Sequence, residues 1–123
     1  MEERPESLMA ETTKIKTGYG NLYVIIAEKD KRPFEIFAIM GKSGGSLTAK
    51  AEAIGRLCSL ALRNGIVLDE IISQLEDIAD DKPLFIGKKI VKSIPDALAI
   101  VLKNYKEKKE KENDSKEKGN KKG

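Results

Sequence analysis

The chain has 123 residues, enough for one ordinary domain with tails and too few for two. It holds 23 Lys and Arg against 20 Asp and Glu, and eight lysines against five acids from Lys106 to Gly123 account for the whole surplus, so residues 1–105 are neutral and not those of a basic protein. With no His and one Cys, neither an internal disulfide nor a Cys/His metal site of ordinary ligand count can form, and without ~20 consecutive apolar residues or an apolar leader no membrane span or signal peptide is expected, which makes the cytoplasm the expected address.

Residues 1–12, with four glutamates, Arg4 and Pro5, read as a flexible leader, so order is expected from Thr13. Thr13 to Thr17, Asn21 to Ala27 and Pro33 to Met40 are β-branched or aromatic-rich runs divided by turn residues, which predicts a three-stranded antiparallel meander. Both faces of that sheet carry apolar side chains. Helices are therefore expected on one face, and a third helix or a second subunit, in a homodimer, on the other.

Three glycines (Gly41, Gly44, Gly45) then lead into a helix that stops at Asn64-Gly65, with Ala53, Ile54, Leu57, Cys58, Ala61 and Leu62 as its predicted buried stripe. Cys58 on that stripe reads as a small buried thiol. A second helix opens at Leu68-Asp69-Glu70, buries Ile71, Ile72, Leu75 and Ile78 on one face, and is expected to end near Asp80. Asp81 to Lys92 suits an irregular crossing or a short extra strand. Ser93-Ile94-Pro95-Asp96 has the form of a helix start, followed by Ala97, Leu98, Val101, Leu102 and Tyr105. From Lys106 the sequence has no apolar residue, so residues 106–123 are expected to be a disordered tail with some helix at its start. The predicted class is α+β: a meander packed against two to three helices, over residues 13–105.

The loop GKSGGS at a helix N-terminus could take an anion through Lys42, Ser43, Gly44, Gly45 and Ser46, with Arg56 reaching back, as a phosphate or nucleotide contact. It lacks the upstream glycine of a Walker loop. The bland alternatives are a tight strand-to-helix turn and an Arg56 salt bridge with Glu52 at i,i+4 spacing. The Lys-rich tail reads as solubilising, or as an arm for nucleic acid. Tyr19, Tyr23, Phe34 and Phe37 read as sheet packing before base stacking. No paired catalytic spacing is evident, so no enzyme activity is expected.

Taken in order, T-G-Y-G-N-L-Y from Thr17, R-P-F-E-I-F from Arg32, G-K-S-G-G from Gly41, E-A-I-G-R-L from Glu52, S-L-A-L-R-N-G from Ser59 and S-I-P-D-A from Ser93 resemble the TSCPD domain. That family is a small module near the C-terminus of adenosylcobalamin-dependent ribonucleotide reductases and also occurs free-standing. The resemblance covers roughly residues 13–103. It implies a non-catalytic accessory module that associates with a ribonucleotide reductase or another enzyme of deoxynucleotide supply. The family pattern has cysteines in T-G-C-G, in G-K-x-G-G-C, in a C-P pair after the second helix and in S-C-P-D. Four such thiolates would make a tetrahedral zinc site. Here Tyr19, Ser46 and Ile94 stand at three of those positions and no Cys lies near Ile78 to Pro83. The expectation is therefore a chain without cofactor or metal, in which packing replaces the cluster.

Overall fold

The computed structural model describes residues 2–42 and 45–121, without side chains for 116–121. In chain order the elements are β1 (Met9–Thr17), β2 (Gly20–Lys29), β3 (Arg32–Met40), α1 (Ser46–Arg63), α2 (Leu68–Leu75), β4 (Leu84–Ile86), β5 (Lys89–Val91) and α3 (Ile94–Lys121). The predicted α+β class and antiparallel meander are both present, with sheet order β1-β2-β3. Among the described residues no helix is long and apolar enough to cross a membrane.

Register decides which side chains share a face. Val24 pairs with Thr13 on one side and Ala38 on the other, and Ile26 with Ile36, so Leu22, Val24, Ile26, Ile36, Ala38 and Met40 all lie on one face. That face is the core: α3 lays Leu98, Val101 and Leu102 into it, and each fully buried Leu contributes about 1.5–3 kcal/mol. A register shift between Ala27 and Glu28 breaks the alternation, which lets Phe34, Glu35 and Ile36 all be buried in succession. Asp30 and Lys31 turn β2 into β3 with φ of 54° and 64°, the hairpin geometry that twisted strands prefer, adopted without glycine.

α1 does not lie across the sheet. It runs along the open edge of β3, where Ser59 Oγ accepts from the Ile36 N–H at 2.9 Å and donates to the Ile36 carbonyl at 3.0 Å. These are strand groups that would otherwise face an empty edge, and covering them blocks strand addition there. Gly55 makes this approach possible: a Cβ at that position would stand 3.1 Å from both Ala38 N and Ile36 O. The predicted stripe is corrected accordingly. The buried line is Ala51, Gly55 and Cys58, with Ile54, Ala61 and Leu62 partly covered, while Ala53 and Leu57 are exposed. A helix at a sheet edge buries a narrow line of small residues, not a broad face.

Three boundaries also move. Within the expected leader the described residues are partly ordered: β1 begins at Met9, where ladder bonds to the far end of β2 hold polar residues in strand, and Arg4 reaches Glu35. α2 stops at Leu75, short of Asp80, because Glu76 turns extended and the Asp77 N–H is taken by the Asp96 carboxylate at 2.8 Å. The Lys-rich segment 106–123, expected as a disordered tail with some helix at its start, continues α3 as far as Lys121 among the described residues, with Lys106, Lys108 and Lys109 ion-paired to Asp69, Glu11 and Glu28. Asp81 to Lys92 becomes the small β4-β5 hairpin.

Candidate functional site

Of the predicted anion-binding residues, Ser43 and Gly44 lie outside the described residues. Lys42 and Ser46 are exposed, and Gly45, at φ 69°, precedes α1 without a side-chain cap. Arg56 lies ten positions along α1 from Ser46, about 15 Å at the helical rise per residue. Its guanidinium meets Glu52 at 3.6 Å, the i,i+4 alternative. The described geometry thus puts Arg56 in a different place from the glycine turn.

That place is a groove of about 550 Å³ between the flank of α1 and the face of β3 opposite the core. Its floor includes Phe37 and Ile39, 43% and 47% exposed, and its wall includes Arg56 and Leu60. One end is closed by Glu35, 5% exposed, which accepts from Arg4 Nε at 2.9–3.0 Å and from Arg63. A buried carboxylate between two guanidiniums is costly to break, and it ties the N-terminal segment to β3 and to the end of α1. Arg63 also stacks over Phe34 at 5.0 Å. Sequence reasoning does not single out Glu35; the signal that could have found it is a lone acid inside the apolar run PFEIFAIM.

A second trough, about 420 Å³, separates α1 from α2 and is lined by Ile54, Leu57, Cys58, Ile66, Ile71 and Leu75. Leu57 is 66% exposed there, and Ile66 43%. Burial pushes the Cys58 thiol up to about 11, so it stays neutral and acts as a hydrophobic lining group.

The four positions where the family carries cysteine are partly gathered. The β1-β2 turn, held by Thr17 Oγ1 donating to the Gly20 carbonyl at 2.8 Å, presents the Tyr19 hydroxyl to Asp80 and, at 2.9 Å, to Asp81. The 80–82 segment presses on this turn so closely that a Cβ on Gly18 would stand 1.8 Å from the Lys82 carbonyl oxygen. Hydrogen bonding to Asp80 foremost raises the Tyr19 hydroxyl above the usual phenol range, and the same bond holds Asp80 below the usual carboxylate range. The contact is a strap between two loops and not an acid–base pair for neutral pH. Ser93 then caps α3: it donates to the Ile78 carbonyl at 2.6 Å and accepts the Asp96 N–H at 3.1 Å, while Asp96 accepts the N–H groups of Asp77 and Lys92 at 2.8 and 2.9 Å. The S-I-P-D stretch is thus a helix start that also anchors the loop after α2. Ile94 is buried and has no ligand atom, and the Tyr19 hydroxyl is committed to carboxylates, so the residues here do not fit a thiolate-bound metal.

No curated protein and no solved structure matches the chain. The family model of the TSCPD domain matches residues 1–106, nearly all of the described fold, and the chain therefore belongs to the TSCPD domain family, a module associated with ribonucleotide reductases.

Proposed function

We propose that the chain is a non-catalytic accessory module that docks on a partner enzyme of nucleotide metabolism, in the first place a ribonucleotide reductase. The observation that supports this reading is the trough between α1 and α2. The domain already has a closed core on the α3 side of the sheet, yet it leaves Leu57 and Ile66 exposed in an apolar cleft. Exposed apolar surface of this kind, rimmed by Glu70 and Gln74, suits the side chains of another protein. The test is co-elution of the full chain with the ribonucleotide reductase of the same cell, compared with Leu57→Glu. The expected result is a complex for the wild type and none for L57E, with the melting temperature of the variant unchanged because Leu57 lies outside the core. A wild type that never co-elutes, or an L57E variant that binds as well, overturns it. The Lys-rich segment as an arm for nucleic acid is less favoured, since its first lysines are spent on Asp69, Glu11 and Glu28 of the same domain.

A further inference from the structure

Among the described residues the sheet has one face under α3 and one face open. On the open face, alternation along β1 places Lys14 and Lys16, because Thr13, Ile15 and Thr17 point to the core side. Lys14 is paired across the ladder with Tyr23, which is paired in turn with Ile39; one row further along, Thr12, Ile25 and Phe37 line up in the same way. A strip of cations therefore borders a patch made of two aromatic rings and two isoleucines, with the flank of α1 as the opposite wall.

The charges on this face are one-sided. Glu35 is buried and already neutralised by Arg4 and Arg63, and Glu52 on the α1 wall is paired with Arg56. Lys14 and Lys16 are exposed and have no ion-pair partner among the described residues. They are two residues apart on one strand, about 6.8 Å by strand rise, a spacing close to that of successive phosphates on an extended nucleic acid strand. Phe37 offers a ring face within the groove at 43% exposure.

We infer that the open sheet face, with Phe37 and Tyr23 as stacking surfaces and Lys14 and Lys16 as phosphate contacts, binds single-stranded nucleic acid. Aromatic rings on a strand surface accept any base through its π-face, and uncompensated lysines alongside track the backbone. A duplex buries its bases and cannot use the rings. A second copy of this chain is a poorer occupant, because its own lysine strip would bring further cations and no free carboxylate from this face. The site is on the opposite flank of α1 from the trough assigned to a protein partner, so either assignment can fail alone.

The experiment is fluorescence anisotropy of labelled single-stranded and duplex oligonucleotides with the full chain, from low to physiological salt, alongside Phe37→Ala and Lys14→Ala/Lys16→Ala. The single strand should bind more tightly than the duplex. F37A should weaken it about tenfold, the scale of one lost stacked base, with the salt dependence kept. The double lysine variant should lower the slope of log K against log salt by about 1.4, the value for two lost phosphate contacts. All three residues lie outside the buried core, and an unchanged melting temperature excludes loss of fold. The inference is overturned if no strand binds at low salt, if the variants bind like wild type, or if F37A only converts a dimer to a monomer in sedimentation and leaves oligonucleotide binding intact.

Discussion

Replacing Gly55 by Ala tests whether α1 is held against the edge of β3 as closely as its geometry implies. In an ordinary helix interior the change stabilises by about 0.8–1.0 kcal/mol, because alanine loses less backbone entropy. Here the new Cβ would stand 3.1 Å from Ala38 N and Ile36 O and 3.5 Å from Phe37 Cα, all of them backbone atoms that cannot rotate away. Relief requires α1 to back off by a few tenths of an ångström, at an overpacking cost of about 1–3 kcal/mol. The same movement lengthens the two hydrogen bonds between Ser59 and Ile36, now 2.9 and 3.0 Å, each worth about 1 kcal/mol. The expected balance is a net loss of about 1–2 kcal/mol, read as a lower midpoint in urea and a melting temperature lower by roughly 4–8 °C per kcal/mol for a domain of this size. A double-mutant cycle with Ser59→Ala adds a sharper check. If the displacement already weakens the serine bridge, S59A must cost less in the G55A background than in wild type. A G55A protein as stable as wild type, or more so, or strictly additive effects of the two changes, would refute the edge-contact argument.

Lys31→Gly should stabilise by about 0.5–1 kcal/mol in the same urea assay, since φ of 64° strains any residue with a Cβ and Asp-Gly suits this turn; a loss of stability counts against the assignment. Asp96→Ala leaves the N–H groups of Asp77 and Lys92 without their acceptor and should cost about 2–4 kcal/mol; a cost near zero means that water replaces the carboxylate. Cys58, held up to about 11 by burial, should react with a thiol reagent at pH 8 about 100-fold more slowly in the folded than in the urea-unfolded chain. Because the fold favours the neutral thiol, its contribution is present at neutral pH and is lost as pH rises from about 8.5 towards 11, and Cys58→Ala should remove that alkaline component in pH-dependent melts. For Glu28, burial pushes its carboxyl up, but hydrogen bonds from Lys109 and Tyr105 outweigh it and hold the group below the usual range. Its contribution is therefore present above the unfolded value of about 4.3 and lost as pH falls through the lower folded value, so Glu28→Gln should show a smaller acid-induced loss than wild type. An identical acid limb for both proteins would contradict it.

The strand runs, the capped start of α3 and the apolar set Ala97, Leu98, Val101, Leu102 and Tyr105 were readable from residue order, because period-two and period-3.6 patterning and the Ser-x-x-Asp cap are local properties. Family membership was readable for the same reason: short motifs at turns and caps survive in the linear sequence. The site was less so. The sequence reading gathered Lys42, Ser46 and Arg56 around one loop, but a helix advances along its axis and carries Arg56 away from its own N-terminus to the groove beside β3. Nor could it place α1 at an edge, since Gly55 and Ser59 look like neutral helix residues until β3 lies against them.

By itself, then, the sequence determined the three-strand meander, the starts of the three helices and the kinship they carry, since those depend on side-chain periodicity and local hydrogen bonding, but not where β1 begins or where α2 and α3 end. The tertiary structure alone decided which sheet face is covered, that Glu35 is enclosed by Arg4 and Arg63, and that Tyr19 meets Asp80 and Asp81. Those outcomes depend on register and on the meeting of residues far apart in the chain, for which no local pattern exists.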